Sequence, residues 1–105
     1  MEGNPFRLDG DDSYTNQIGT TGELVAGYPA TTAGRLAWMN VVANIVEAVP
    51  NGRGLGVFYW EATWTAVTGN GWDPTDASSG NGWDNQALYG HDDTALPATA
   101  WFSHR

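Results

Sequence analysis

Leu55-Gly56-Val57-Phe58-Tyr59 is an almost unbroken apolar and aromatic run, set between Gly52-Arg53-Gly54 and an abrupt Trp60-Glu61-Ala62-Thr63-Trp64. A half-exposed strand alternates apolar with polar residues, whereas a parallel strand covered on both faces does not. The run therefore predicts a buried strand from Gly54 to Glu61. Upstream, Leu36, Met39, Ala43 and Val46 recur at three- and four-residue steps, with Trp38, Val42, Ile45 and Val49 beside them. That spacing predicts a helix from Thr32 to Val49 with a wide apolar face, suited to packing on a sheet. Thr31 or Thr32 supplies the capping oxygen, Pro50 ends the helix, and Asn51-Gly52 makes the turn. Helix, tight loop and buried strand form one αβ unit, and one such unit cannot cover both faces of its own strand.

Other features narrow the class. With 105 residues the chain is at most one small domain with a modest core. A formal net charge of −8, with no lysine, argues against nucleic acid and anionic membranes as partners, and favours neutral or cationic ligands or a metal cation. The absence of cysteine rules out disulfides and thiolate metal sites. No apolar run approaches membrane-spanning length, and the N-terminus lacks a signal-peptide pattern. Residues 1–30 and 65–82 read as loops. Gly-Asn-Gly-Trp-Asp occurs at 69–73 and again at 80–84, and two copies do not make a repeat architecture. Asn85 to Tyr89 reads as a short helical turn, and Ala95 to Phe102 as a closing helix with Pro97 in its first turn.

Three groups of residues could carry chemistry. Asp9, Asp11, Ser13 and Thr15 put oxygen-bearing side chains at alternate positions, able to converge on one hard cation such as calcium. The pattern is similar to the first half of an EF-hand loop, but Tyr14 replaces the turn glycine and Thr20 stands where the bidentate glutamate belongs. A solvated acidic turn is the competing explanation. Second, Trp60, Glu61 and Trp64 fall where a barrel strand would open into its loop, a position that reads as site rather than core. Flat aromatic faces beside a carboxylate suit a sugar surface, while core aromatics with a structural carboxylate are the alternative. Third, Glu2 is a lone carboxylate, whereas retaining glycosidases need two carboxyl groups about 5–5.5 Å apart. Glu23 and Glu47 read as solvated, and His91 and His104 have no partner pattern.

Several of these segments together resemble family 53 glycoside hydrolases, the arabinogalactan endo-β-1,4-galactanases. They are Pro50 through Glu61, Trp64, Trp83-Asp84-Asn85-Gln86-Ala87-Leu88-Tyr89 and Ala95-Leu96-Pro97, with Gly27-Tyr28-Pro29-Ala30-Thr31 and the helix after it. The resemblance covers nearly the whole chain. It implies an α/β fold: the C-terminal part of a (β/α)8 TIM barrel, comprising the strand-7 loop, helix 7, strand 8 and a closing segment. On that basis residues 1–105 are a partial catalytic domain, truncated on its N-terminal side, since such barrels take about 250 residues. The implied activity is hydrolysis of β-1,4-galactosidic bonds in galactan or arabinogalactan with retention of configuration, by enzymes mostly secreted.

The departures from the family pattern are specific. The acid/base glutamate belongs to strand four, which is absent. The nucleophile belongs to a Glu-Thr-x-Tyr-Pro pattern, where this chain has Met1-Glu2-Gly3-Asn4-Pro5-Phe6 and places Glu2 one position out of register. No catalytic residue is therefore assigned. Ala62 stands where the family has proline. The family's calcium loop maps onto Asp9, Asp11, Ser13 and Thr15, joined by Asn81 and Asp84, and tips the acidic segment toward a Ca2+ site. Trp60, Glu61 and Trp64 are the expected substrate-binding residues. The leading expectation is a fragment of a retaining endo-β-1,4-galactanase, inactive by itself, whose exposed strand edges invite self-association. The alternatives are a non-catalytic galactan-binding or interaction module, or a truncated gene product without function.

Overall fold

The computed structural model describes residues 3–8, 16–60, 62–65, 73, 75, 76 and 80–103. Its one α-helix among these residues, α1 (Thr32–Glu47), starts where the cap oxygen predicts: Thr31 Oγ1 accepts the Gly34 amide at 2.9 Å. It ends two residues before Val49, with the Ala48 amide bonding back to Asn44 and Val46. Pro50–Gly52 then forms a 3-10 turn in which Asn51 takes a positive φ of 64°. Three more 3-10 segments follow the chain: Thr21–Glu23 in the first long loop, Asp84–Gln86, and the closing Pro97–Ser103.

The buried face of α1 carries Gly34, Arg35, Met39 and Ala43. Met39 and Ala43 form the core with Leu88, Ala98 and Trp101, and Leu36, Val57, Tyr59, Ala62 and Tyr89 pack around them. Trp101 also donates its indole N–H to Asn40 Oδ1 at 3.0 Å, which fixes the closing segment against α1. The turn between Leu88 and Leu96 is closed by the bonds Leu96 N to Leu88 O and Gly90 N to Thr94 O, with an isolated bridge between Tyr89 and Ala95.

The expected buried strand from Gly54 to Glu61 is corrected on two points. No β-strand is formed among the described residues, and the run is open on one side: Leu55 and Phe58 are each 94% exposed and Trp60 is 57% exposed. The segment is nevertheless extended, because Val57 and Tyr59 turn inward onto the core while Phe58 and Trp60 turn outward, the period-two alternation of a strand. A strand needs neighbours to satisfy its backbone groups, and one helix supplies cover but no ladder. Gly54 lets the segment cross α1 closely: a Cβ there would lie 1.6 Å from the Val46 carbonyl oxygen.

Candidate functional site

Residues 81–88 form a buried hub that gathers distant parts of the chain. The Asn85 side chain is completely buried, and its Nδ2 faces three carbonyl oxygens: Arg7 at 2.9 Å, Leu8 at 3.0 Å and Ile18 at 2.8 Å. The Asn85 carbonyl accepts the Phe6 amide at 2.9 Å, and Gly82 O accepts the Gln17 amide at 2.8 Å. Asn16 Nδ2 donates to Asp84 Oδ1 at 2.5 Å. Both flanks of the acidic segment, residues 6–8 and 16–18, are thus fastened to one turn.

Asp84 is completely buried within this hub. Its Oδ2 lies 3.8 Å from His91 Nε2, and His91 Nδ1 is 3.4 Å from Arg7 NH1. A guanidinium only donates, so Nδ1 is the accepting nitrogen and the neutral ring carries its proton on Nε2, directed at Asp84. Phe6 closes the other side of the imidazole in an edge-on contact at 5.2 Å. His91, to which the sequence assigns no role, is therefore part of the polar cluster around Asp84.

Of the residues expected to hold a metal, Asn81 and Asp84 are brought to this hub. Asp9, Asp11, Ser13 and Thr15 lie outside the described residues, and no group of three or more metal-binding side chains occurs among the described ones. Asn81 is completely buried and has a structural task. Its Nδ2 donates to Trp64 O at 3.0 Å and its Oδ1 accepts the Trp83 amide at 3.0 Å. One side chain thereby ties the backbones of two tryptophans, whose rings stack with centroids 5.8 Å apart and planes 15° from parallel. Of the expected sugar-binding residues, Trp64 joins this stack and Trp60 is exposed on the extended segment, while Glu61 lies outside the described residues.

The two Gly-Asn-Gly-Trp-Asp copies end in different environments. Asp73 bonds the Thr75 amide at 2.8 Å and hydroxyl at 2.7 Å in a local turn, and these bonds hold its carboxyl below the usual range. Asp84 occupies the equivalent place in the other copy and is buried in the hub.

Arg35 is a feature that residue type concealed. It is completely buried, donates from NH1 to Ala87 O and from NH2 to Tyr59 OH, and the Tyr59 hydroxyl in turn donates to Gln86 O at 2.8 Å. The guanidinium carbon sits 5.8 Å from the Phe6 ring centre and 5.4 Å from that of Tyr59, within cation–π range. Burial pulls the Arg35 pKa below its ordinary value, and Tyr59 works against that pull. Burial likewise raises the Tyr59 hydroxyl, opposed by Arg35. Arg35, Met39 and Ala43 recur every four residues on one helical stripe, which is the signal that could have found it.

The chain matches the model of glycosyl hydrolase family 53 over residues 1–102. It is 30% identical to the endo-beta-1,4-galactanase of Bacillus subtilis across 94% of this chain and 29% of that protein. An uncharacterized protein from the bgaB 5′ region of Niallia circulans is 33% identical over 57% of this chain and 16% of its own length. Among solved structures, the GH53 catalytic domain of Ignisphaera aggregans superposes with a TM-score of 0.78 at 32% identity, covering 91% of this chain and 26% of that one. The chain thus spans less than a third of the curated relatives it matches. That domain belongs to a TIM-barrel family, and the helix, extended segment and hub described above are one part of such a barrel. On its sequence and its backbone path alike, the chain belongs to glycosyl hydrolase family 53.

Proposed function

We propose that this chain is the C-terminal part of a retaining endo-β-1,4-galactanase, contributing sugar-binding surface and no catalytic carboxylate of its own. The observation that carries this is the Trp64–Trp83 stack held in place by Asn81, set in a chain that belongs to family 53. Parallel indoles fixed through their backbones offer a flat, rigid edge at low entropic cost. In this assignment Trp60 and Trp64 stack against galactosyl rings of galactan or arabinogalactan, and Glu61 accepts hydrogen bonds from their hydroxyls. Secretion of the parent enzyme belongs to the same proposal. Among the described residues, no helix is long and apolar enough to cross a membrane.

The test is titration of the purified chain with β-1,4-galactotetraose, followed by tryptophan fluorescence and by release of reducing ends. Saturable quenching that Trp64→Ala removes, with no new reducing ends, is the expected result. Absence of saturable binding would overturn the sugar-binding assignment. Hydrolysis abolished by Glu2→Gln would overturn the absence of a catalytic carboxylate.

The calcium site is part of the proposal. Asp84 offers a completely buried carboxylate, and the residues bounding positions 9–15 are bonded to the turn that carries it. This supports one ion shared by Asp9, Asp11, Ser13, Thr15 and Asp84, with oxygen from Asn81. The bound ion would supply a structural tether between the two loops. An ion that binds only the folded form raises the melting temperature with its concentration. Calcium should do this more than magnesium, and Asp84→Ala and Asp11→Ala should abolish the effect while Asp73→Ala preserves it.

A further inference from the structure

We propose that a cavity between residues 3–4, the loop 18–25 and α1 binds a single sugar ring through its hydroxyl groups. The cavity measures about 200 Å³ and is lined by Gly3, Asn4, Ile18, Glu23, Val25 and Trp38. None of these belongs to the surface assigned to Trp60, Glu61 and Trp64, so the cavity is a second place for a sugar. Asn4 carries the inference. It is only 4% exposed, and its Nδ2 donates to Pro29 O at 2.9 Å. That bond leaves Oδ1 as the unused acceptor of the amide, with no donor to it among the described residues. A polar side chain so nearly enclosed normally has both ends satisfied. At a cavity wall, the unmet end calls for an occupant that donates.

The walls are set before any ligand arrives. Ile18 O accepts Asn85 Nδ2 at 2.8 Å, Trp38 is carried by α1 and meets Tyr28 edge-on at 5.4 Å, and Glu23 Oε2 accepts the Gly19 and Thr20 amides at 2.9 Å each. Walls fixed in this way lower the ordering cost of binding. The amide bonds to Glu23 favour its ionised form, so Asn4 and Glu23 both present oxygen acceptors. An anion would meet the Glu23 carboxylate. An ammonium would surrender its hydration against Ile18, Val25 and Trp38, in return for one exposed carboxylate that already holds two amides. A sugar ring brings O–H donors for the two acceptors and a C–H face for the indole and the aliphatic wall. Its size follows from the volume. Pockets for drug-sized ligands run to about 300–1,000 Å³, so this smaller cavity takes one ring, a terminal galactosyl or arabinosyl unit, and not a longer stretch of chain.

The choice of galactose and arabinose as ligands rests on the galactanase reading, while the cavity and its acceptors do not. The test titrates the isotope-labelled full chain with galactose, with arabinose and with ethylammonium chloride, followed by NMR. Saturable shifts are expected at the Asn4 side-chain amide, the Ile18 and Val25 amides and the Trp38 indole N–H. A response to galactose identifies a galactosyl end, and a response to arabinose an arabinosyl branch. Asn4→Leu keeps the volume and removes the acceptor, and should weaken binding about tenfold. Val25→Trp fills the cavity from a position that is 50% exposed, so the fold is undisturbed, and it should abolish the shifts. Trp64→Ala should leave them intact. No saturable shift with either sugar, tighter binding of ethylammonium, or binding that survives Val25→Trp would each overturn the proposal. Cavity shifts without any response at Trp64 would support the cavity and count against the aromatic platform alone.

Discussion

Asn85→Ala tests whether one buried amide joins the two halves of this chain. The Nδ2 group faces the carbonyls of Arg7, Leu8 and Ile18 at 2.8 to 3.0 Å, across 67 to 78 residues of sequence. The amide has two N–H protons to share among these three acceptors, so at about 1 kcal/mol net per hydrogen bond the loss is near 2 kcal/mol. Among the described residues the Asn85 Oδ1 atom is buried with no hydrogen-bond partner, so its removal returns about 1 kcal/mol of that loss. The expected destabilisation is therefore about 1 kcal/mol, a measurable share of the stability of a small domain. Asn85→Asp separates hydrogen bonding from packing, because it keeps the shape but aims a carboxylate at three carbonyl oxygens. It should cost more than the alanine, and more at pH 7 than at pH 4. Burial and the facing carbonyls raise that carboxyl's folded-state pKa, so as pH falls through it the folded form gains a proton and the deficit shrinks. Urea unfolding followed by tryptophan fluorescence, analysed by linear extrapolation, measures all three proteins. An alanine variant within about 0.5 kcal/mol of the parent, or an aspartate variant no worse than the alanine, would refute the role of Asn85 as the joining residue.

Gly34→Ala and Gly54→Ala should both destabilise. Gly34 is instructive because a helical glycine usually gains up to about 1 kcal/mol on becoming alanine, whereas here the new Cβ would sit 2.0 Å from Pro29 O; a stabilised Gly34→Ala in thermal melts would contradict the packing. Thr31→Ala removes the α1 cap and should cost about 1 kcal/mol, read from the same denaturation curves. Glu23 Oε2 accepts the Gly19 and Thr20 amides at 2.9 Å each, and those bonds hold its carboxyl below 4.5. The turn it caps should therefore persist above that value and loosen as pH falls through the lower folded-state value; an NMR titration midpoint at or above 4.5 would contradict the capping box.

Local signals were legible where chemistry is local. The Thr31 cap, the start of α1 and the Pro97 turn follow from residues within four positions of one another, and the sequence places them within about two residues. Arg35 was not legible, because its type argues for solvent while its partners Tyr59 and Ala87 lie 24 and 52 residues away. Its position on the Met39–Ala43 stripe was the available clue. Asn85 and Asn81 were hidden for a similar reason. A buried asparagine looks in sequence like any turn residue, and only the assembled fold shows that one amide holds three carbonyls and another holds two tryptophans.

The extended segment makes the complementary case, in which the backbone is extended as the residue pattern predicts, while neither a paired strand nor burial of both faces follows. Continuous apolar character at Leu55 through Tyr59 means that both faces of the strand are built to be covered. It does not say that the covering elements lie among these 105 residues. The chain provides one cover, α1 and the closing turn, and the side chains facing it, Val57 and Tyr59, are packed. Those facing away, Phe58 and Trp60, remain exposed with the same apolar character. Apolar surface kept in a row and left in water is costly, at about 25 cal/mol for each Å2. A strand pattern therefore reports that both faces take cover, and the residues that supply the cover must be read from contacts rather than from the strand itself.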